Sequence, residues 1–349
     1  MKSKGTMAIT TEASHLAPWC LYGAQTALTY LEALTAALEG VRRAEDSECV
    51  HDMRVASRRL RSILPLLTLG LRRKTCDRWQ KQLRHLTRGL GKARDTDVQI
   101  TCVQHFLDQE ASAQERPGVE RLLLRLQQRR QALQESVLEA LEQCVASRLI
   151  EEMEQTLTQL AAAHQAGGAE TPGYYVYRQL WKALHTRLKA LQAYTPYVPQ
   201  PECSTELHAM RIAAKHLRYT MQACAALYPD ALKVPVRTAR TLQTMLGDIH
   251  DCDVWAYDLP QFLTAERDRT LVYFGQVEPF TPLIPGILAL QDNRQQYRAQ
   301  RYQELVAFWN QTQEEEVWGR LQQTLEEAPT QGARRVTADA TEHMSEQGC

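Results

Sequence analysis

A histidine and three cations recur at positions i, i+3, i+7 and i+10 in two places: His51, Arg54, Arg58 and Arg61, and, 157 residues further on, His208, Arg211, Lys215 and Arg218. On a helix turning about 100° per residue these four positions fall within an arc of about 80°, while Met53, Leu60, Leu64 and Leu67 gather on another side. Each segment therefore reads as a packed helix with one apolar face and one basic stripe. Arginine offers a planar fork that matches phosphate oxygens, lysine a mobile point charge. The histidines can donate hydrogen bonds when neutral and add charge when protonated. Two such stripes in one chain predict a binding site for a polyanion. A further row, Lys81, Arg84 and Arg88, has the partial counterpart Arg237 and Arg240, which predicts two adjacent basic helices per repeat.

A second pair of segments supports an internal duplication. Leu90-Gly91-Lys-Ala-Arg94-Asp95-Thr-Asp97-Val98 is echoed by Leu246-Gly247-Asp-Ile-His250-Asp251-Cys-Asp253-Val254, displaced by 156 residues. Two copies of a unit of roughly 150 residues would place equivalent faces about a pseudo-twofold axis. The four aspartates suit helix capping and ion pairing to arginines better than metal ligation.

The elements that must position these residues all read as helices, so the chain is expected to be all-α. A Leu/Ala-rich pattern predicts a first helix over about 15–42. The first stripe lies on a second helix, capped at Ser47 with Glu48 close behind, which Pro65 is expected to bend or break. A third spans about 73–89 and closes at Gly91 in a left-handed conformation, and Asp95 then caps a fourth over 96–110. Long polar helices fill 114–164. The stretch from Gly167 to Gly173 divides a first half, 15–166, from a second, 174–326. In the second half, helices are expected at 174–194, 204–227, 233–246 and 252–266. A proline-punctuated loop over 278–285 then leads into a long helix ending near 326. Residues 1–14 and 327–349 read as solvated, disordered ends.

Charge sharpens the functional reading. The whole chain carries 41 Lys and Arg against 41 Asp and Glu, a balance that by itself argues against a polyanion partner. Residues 51–94, however, hold 13 Lys or Arg against only Asp52 and Asp77, and 208–247 hold six against Asp230 alone. The compensating acid lies elsewhere, in tracts such as Glu314-Glu315-Glu316. Nine cysteines without a Cys-x-x-Cys pair favour a reducing compartment over a disulfide framework or zinc site. No leader-like stretch and no run of about 18 apolar residues occurs, which predicts a soluble, cytoplasmic protein that does not engage membranes.

The paired motifs, His51-x-x-Arg54-x-x-x-Arg58-Arg59-x-Arg61 and Leu90-Gly91-x-x-Arg94-Asp95-x-Asp97-Val98 with their second copies, closely resemble the CHAD family, a histidine-containing α-helical domain. The resemblance spans roughly residues 15–325. It implies two pseudo-symmetric four-helix-bundle-like halves around a basic central groove or pore. It also implies binding of inorganic polyphosphate through His51, Arg54, Arg58, Arg61, His208, Arg211, Lys215 and Arg218, with association with polyphosphate granules. His216 stands where the first half has Arg59, so these two positions are not expected to share a role. No catalytic residues, cofactor or metal are implied. Two other classes fit the residues less well. An HD-type metal-dependent phosphohydrolase would use His51-Asp52 and His250-Asp251, but three arginines share the face of His51 and would repel the metal, and Ala209 stands where a second Asp52 is needed. A nucleic-acid-binding protein would interleave aromatics or amides with the cations, and only Tyr219 lies beside either stripe.

Overall fold

Asp46 sits in extended backbone (φ −146°, ψ 144°), and its carboxylate accepts a hydrogen bond from the Glu48 amide at 3.0 Å. That bond satisfies a donor the first helical turn leaves free and starts the helix bearing the first basic stripe. The cap is thus Asp46, one residue before the expected Ser47. The computed structural model describes residues 17–327 apart from 45, 69, 166–173 and 229. The expected half boundary at Gly167 to Gly173 and the two terminal segments, beyond residue 327 and before 15, lie outside the described residues.

No strand occurs among the described residues, and the fold is all-α. In chain order the helices are α1 (Ala17–Ala36), α2 (Leu38–Arg43), α3 (Ser47–Leu67), α4 (Arg73–Gly89), α5 (Gly91–Gln109), α6 (Arg116–Ala146) and α7 (Leu149–Gln165). They continue with α8 (Tyr174–Gln192), α9 (Ser204–Ala223), α10 (Lys233–Phe274), α11 (Ile284–Glu314) and α12 (317–327). Short 3-10 turns at Thr195–Tyr197, Ala225–Leu227 and Glu278–Leu283 join some of them. α1 packs between α3 and α7, α9 packs on α8 and α10, α10 on α11, and α5 on α6. The two stripe-bearing helices, α3 and α9, also touch each other.

The apolar faces anticipated from spacing are the ones buried. Met53, Leu60, Leu64 and Leu67 line one continuous core with Leu207, Met210, Leu217 and Met221 of α9. The Trp19 indole anchors α1 to the end of α3 by donating to the Leu66 carbonyl at 3.1 Å. A second, smaller core joins Val103, Phe106 and Leu122 to Trp255, Leu259 and Leu290. Beside it the starts of α6 and α11 meet through glycine. A Cβ on Gly118 would stand 2.0 Å from the Leu283 carbonyl oxygen, and one on Gly286 would stand 1.9 Å from that of Glu115. A shift of 168 residues carries Gly118 onto Gly286 and Glu115 onto Leu283, so the two contacts are reciprocal, and both glycines follow a proline in the first helical turn.

Several expected helix ends are overridden by packing. Pro65 does not end α3, because Ile63, Leu64, Leu66 and Leu67 are buried around it. Each such burial contributes about 1.5–3 kcal/mol, enough together to outweigh the roughly 3 kcal/mol an interior proline costs. Gly91 is not a left-handed cap. The chain passes through Leu90 in right-handed geometry, with Leu90 N donating to Leu86 O and Arg94 N to Leu90 O, so α5 begins at Gly91 and Asp95 lies inside it. In the second half the break vanishes: α10 is a single 42-residue helix through Gly247 and Pro260. The long last helix is instead divided at Glu316, whose φ of 50° is left-handed. Arg148, between α6 and α7, adopts the same conformation with φ 54°.

Candidate functional site

Because the apolar faces of α3 and α9 are buried, their remaining faces must hold the basic stripes, and the contact between the two helices brings these stripes together. Lys215 of α9 lies among Arg58, Arg211, Arg61 and Arg54. Burial and the repulsion of those four guanidinium groups push its pKa down from 10.5 to about 8. Arg54 in turn feels Arg58, Arg94 and Arg211, and Arg61 feels Arg84, Arg88 and Arg58. Like charges about 6 Å apart repel by about 3 kcal/mol at an effective dielectric near 20, so such a cluster is costly unless anions compensate it.

Compensation within the described residues is sparse. Arg54 has one long ion pair, Nη2 to Asp95 Oδ1 at 3.8 Å. No described carboxylate lies within ion-pair distance of Arg58, Arg61, Arg211, Lys215 or Arg218. The Nε atoms of Arg58, Arg61, Arg211 and Arg218 are buried without a hydrogen-bond acceptor, an unusual state for so strong a donor. Arg218 does lie over the Tyr219 ring, 4.7 Å from its centroid. These are donors for which the described residues supply no acceptor.

The Leu-Gly-x-x-Arg/His-Asp-x-Asp segments build the floor beneath two of these arginines. A Cβ on Gly91 would meet Arg54 Nη1 at 3.1 Å, and one on Gly247 would meet Arg211 Nε at 3.3 Å. The second aspartate of each motif is an ion-pair anchor: Asp97 Oδ1 accepts from Arg130 Nε at 2.7 Å, and Asp253 Oδ1 accepts from Arg298 Nε at 2.6 Å. These partners come from α6 and α11 and not from the stripes. Of the four aspartates, only Asp95 pairs directly with a stripe arginine.

Four histidines at or beside the stripes are held below the ordinary imidazole range. Burial and then Arg94 lower the pKa of His51, and burial, Arg211 and Lys215 lower that of His208. His250 packs tilted against His208, with ring centroids 3.9 Å apart and 42° between the planes, and burial, His208 and Arg211 push it down to about 4. His216 is also pushed down to about 4, by burial, Arg187 and Lys215.

The outer rows divide. Arg84 and Arg88 act on Arg61 and so border the cluster, whereas Lys81, Arg237 and Arg240 are exposed with no described carboxylate partner and no interaction joining them to it. Spacing alone missed Arg94, Arg187, His216 and His250. One signal was present: Tyr30 and Arg187 are 157 residues apart, as are Arg59 and His216. Arg59 lies over the Tyr30 ring at 5.7 Å, while Arg187 acts on His216. The two pairs exchange cation and ring between helices, which gives positions 59 and 216 different surroundings.

Among the described residues no group of three or more His, Cys, Asp or Glu converges as a metal site, and no helix is long and apolar enough to cross a membrane. The eight described cysteines are free. A cavity of about 750 Å³ at the far end of α10, lined by Arg121, Arg125, Glu266 and Tyr273 among others, includes none of the predicted site residues.

The CHAD domain family model matches residues 25–259, more than half of the chain, and the chain belongs to that family. The solved CHAD domain from the plant Ricinus communis has the same fold, with a TM-score of 0.58 and 22% identity over 83% of this chain and 89% of that one. Two uncharacterized proteins of Mycobacterium tuberculosis, MT2285 of strain CDC 1551 and Rv2226 of strain H37Rv, are each 32% identical over 216 residues, 60% of this chain. The match spans only 39% of their length.

Proposed function

We propose that this protein binds inorganic polyphosphate, without catalysis, between the basic faces of α3 and α9. The observation that carries the reading is the convergence of Arg54, Arg58, Arg61, Arg211 and Lys215 around one place with almost no carboxylate to neutralise them. A linear phosphate chain supplies regularly spaced acceptor oxygens, and its charge is neutralised by many individually modest contacts. His51, His208, Arg218, Arg84 and Arg88 extend the site, and Lys81, Arg237 and Arg240 form its exposed approach. We further propose that the two motif sets are copies of one ancestral unit. Reciprocal contacts at Gly118 and Gly286, 168 residues apart, support this, as does the left-handed residue following each long helix. The stripes would then face inward across a pseudo-twofold basic groove, and granule association in the cytoplasm would follow from binding.

Calorimetric titration with long-chain polyphosphate, set against single-stranded DNA of equal charge at two salt concentrations, tests the reading. Polyphosphate affinity is expected to persist at the salt concentration where DNA binding is lost. Equal, steeply salt-dependent binding of both would mean a generic cationic surface. The double variant Arg54→Glu/Arg211→Glu should lose binding with helicity intact, and retained affinity would overturn the placement of the site.

A further inference from the structure

We propose that Gly91 with Asp95 on α5, and Gly247 with Asp251 on α10, form two cradles that fix the guanidinium groups of Arg54 and Arg211 at the anion site. This inference rests on the polyanion reading and names the residues that orient its central arginines. In each motif the glycine and the first aspartate are four residues apart, hence on one helix face. At Gly91 the space that a Cβ would fill is bounded by Arg54 Nη1, and Asp95 tethers the same guanidinium at 3.8 Å. At Gly247 the space is bounded by Arg211 Nε, Nη2 and Cζ, at 3.3, 3.8 and 3.9 Å, and Asp251 acts electrostatically on the same group. Neither glycine has positive φ, so neither is required by the backbone. Glycine is a poor helix former, and its use inside α5 and α10 needs another reason. The reason offered by the geometry is that a flat guanidinium rests against helix backbone where any side chain would displace it. An oriented fork then presents its remaining N–H edge to phosphate oxygens, which a freely rotating cation does not.

The test is a double-mutant cycle. Gly91→Ala/Gly247→Ala is made in the native background and in an Arg54→Lys/Arg211→Lys background. The colliding atoms are the ends of flexible side chains, so the melting temperature is expected to hold or rise. Polyphosphate affinity should fall about tenfold in the native background and change less than about twofold in the lysine one. An equal loss in both backgrounds, or none in the native one, would overturn the cradles. Asp95→Asn leaves the backbone untouched and serves as a second variant. If Asp95 contributed only its charge, removing it would tighten polyanion binding, whereas a tether predicts weaker binding. Side-chain NMR gives a ligand-free readout, with the Nε–Hε signals of Arg54 and Arg211 assigned through the lysine variants. Those signals should show restricted motion that the alanine substitutions release. Mobile signals in the native protein would overturn the cradles, whereas restricted signals in a protein that fails to bind polyphosphate would overturn only the choice of ligand.

Discussion

Lys215 stands where the first stripe has Arg58, and this one exchange gives the site a titratable centre. Surrounded by Arg58, Arg211, Arg61 and Arg54, the free lysine loses its proton near pH 8 instead of 10.5. A bound polyanion reverses the local potential and restores the proton, so binding at pH 9 is expected to take up a proton. Titrations in buffers of different ionisation enthalpy would show this as a buffer-dependent heat. Lys215→Arg should remove that dependence, since arginine stays charged throughout, and a buffer-independent heat for the native protein would refute the assignment. The histidines respond at lower pH, because His51 and His208 are held below their ordinary value of 6.5. At this scale the sequence was informative about which cations share a face, since helical spacing determines that. It was silent on which are crowded, since Arg94, Arg187 and His250 reach the cluster from α5, α8 and α10, helices whose approach no local pattern encodes.

Among the elements, the long helices are held by contacts that tolerate no side chain. Gly118→Ala and Gly286→Ala would each drive a methyl into a backbone carbonyl, which cannot rotate away as a flexible side chain can. Each is expected to destabilise the protein by about 1–3 kcal/mol or more in denaturant unfolding, and by similar amounts because the contacts are reciprocal. Gly319, with its nearest neighbour 3.9 Å from a Cβ, is the control, and alanine there should be neutral or mildly stabilising. If Gly118→Ala melted like Gly319→Ala, the close crossing of α6 and α11 would be wrong. The end of α10 is secured differently. Glu266 is fully buried and accepts from Arg125 at 2.7 Å, and also pairs with Arg121 and Arg269. Glu266→Gln leaves three partly exposed arginines around a neutral group and should cost about 1–3 kcal/mol. The arginines hold this carboxyl below its ordinary range, so its contribution is present above that range and is lost on acidification. Helix starts and apolar faces were legible in the sequence, but several ends were not. Pro65, Gly91 and Gly247 are stop signals locally, and burial on both sides carries the helices through two of them and leaves only a one-residue step before Gly91. The break at Glu316 has no glycine or proline to announce it.

Over the whole molecule the charges sum to zero, yet the fold gathers Arg54, Arg58, Arg61, Arg211 and Lys215 in one place with Asp95 as their one ion-pair partner among the described residues. The free protein therefore carries a repulsion that its ligand would relieve. Burial first, and then the neighbouring cations, push His216 and His250 from 6.5 to about 4, so part of that repulsion is measurable through them. Between those values the unfolded chain binds protons that the folded one refuses. The two neutral rings therefore cost the fold nothing above about pH 6.5, and the protein loses stability through them as pH falls from there toward 4. A bound polyanion raises both values and removes part of this penalty. The gain in melting temperature on adding long-chain polyphosphate should therefore be larger at pH 5 than at pH 7.5. Carboxylates far from the site titrate over the same range, but they do so with and without ligand, so their effect cancels in the difference. Replacing His216 and His250 by glutamine should reduce that pH dependence and leave the part carried by His51 and His208, and a gain already independent of pH in the native protein would place these histidines outside the field of the bound anion.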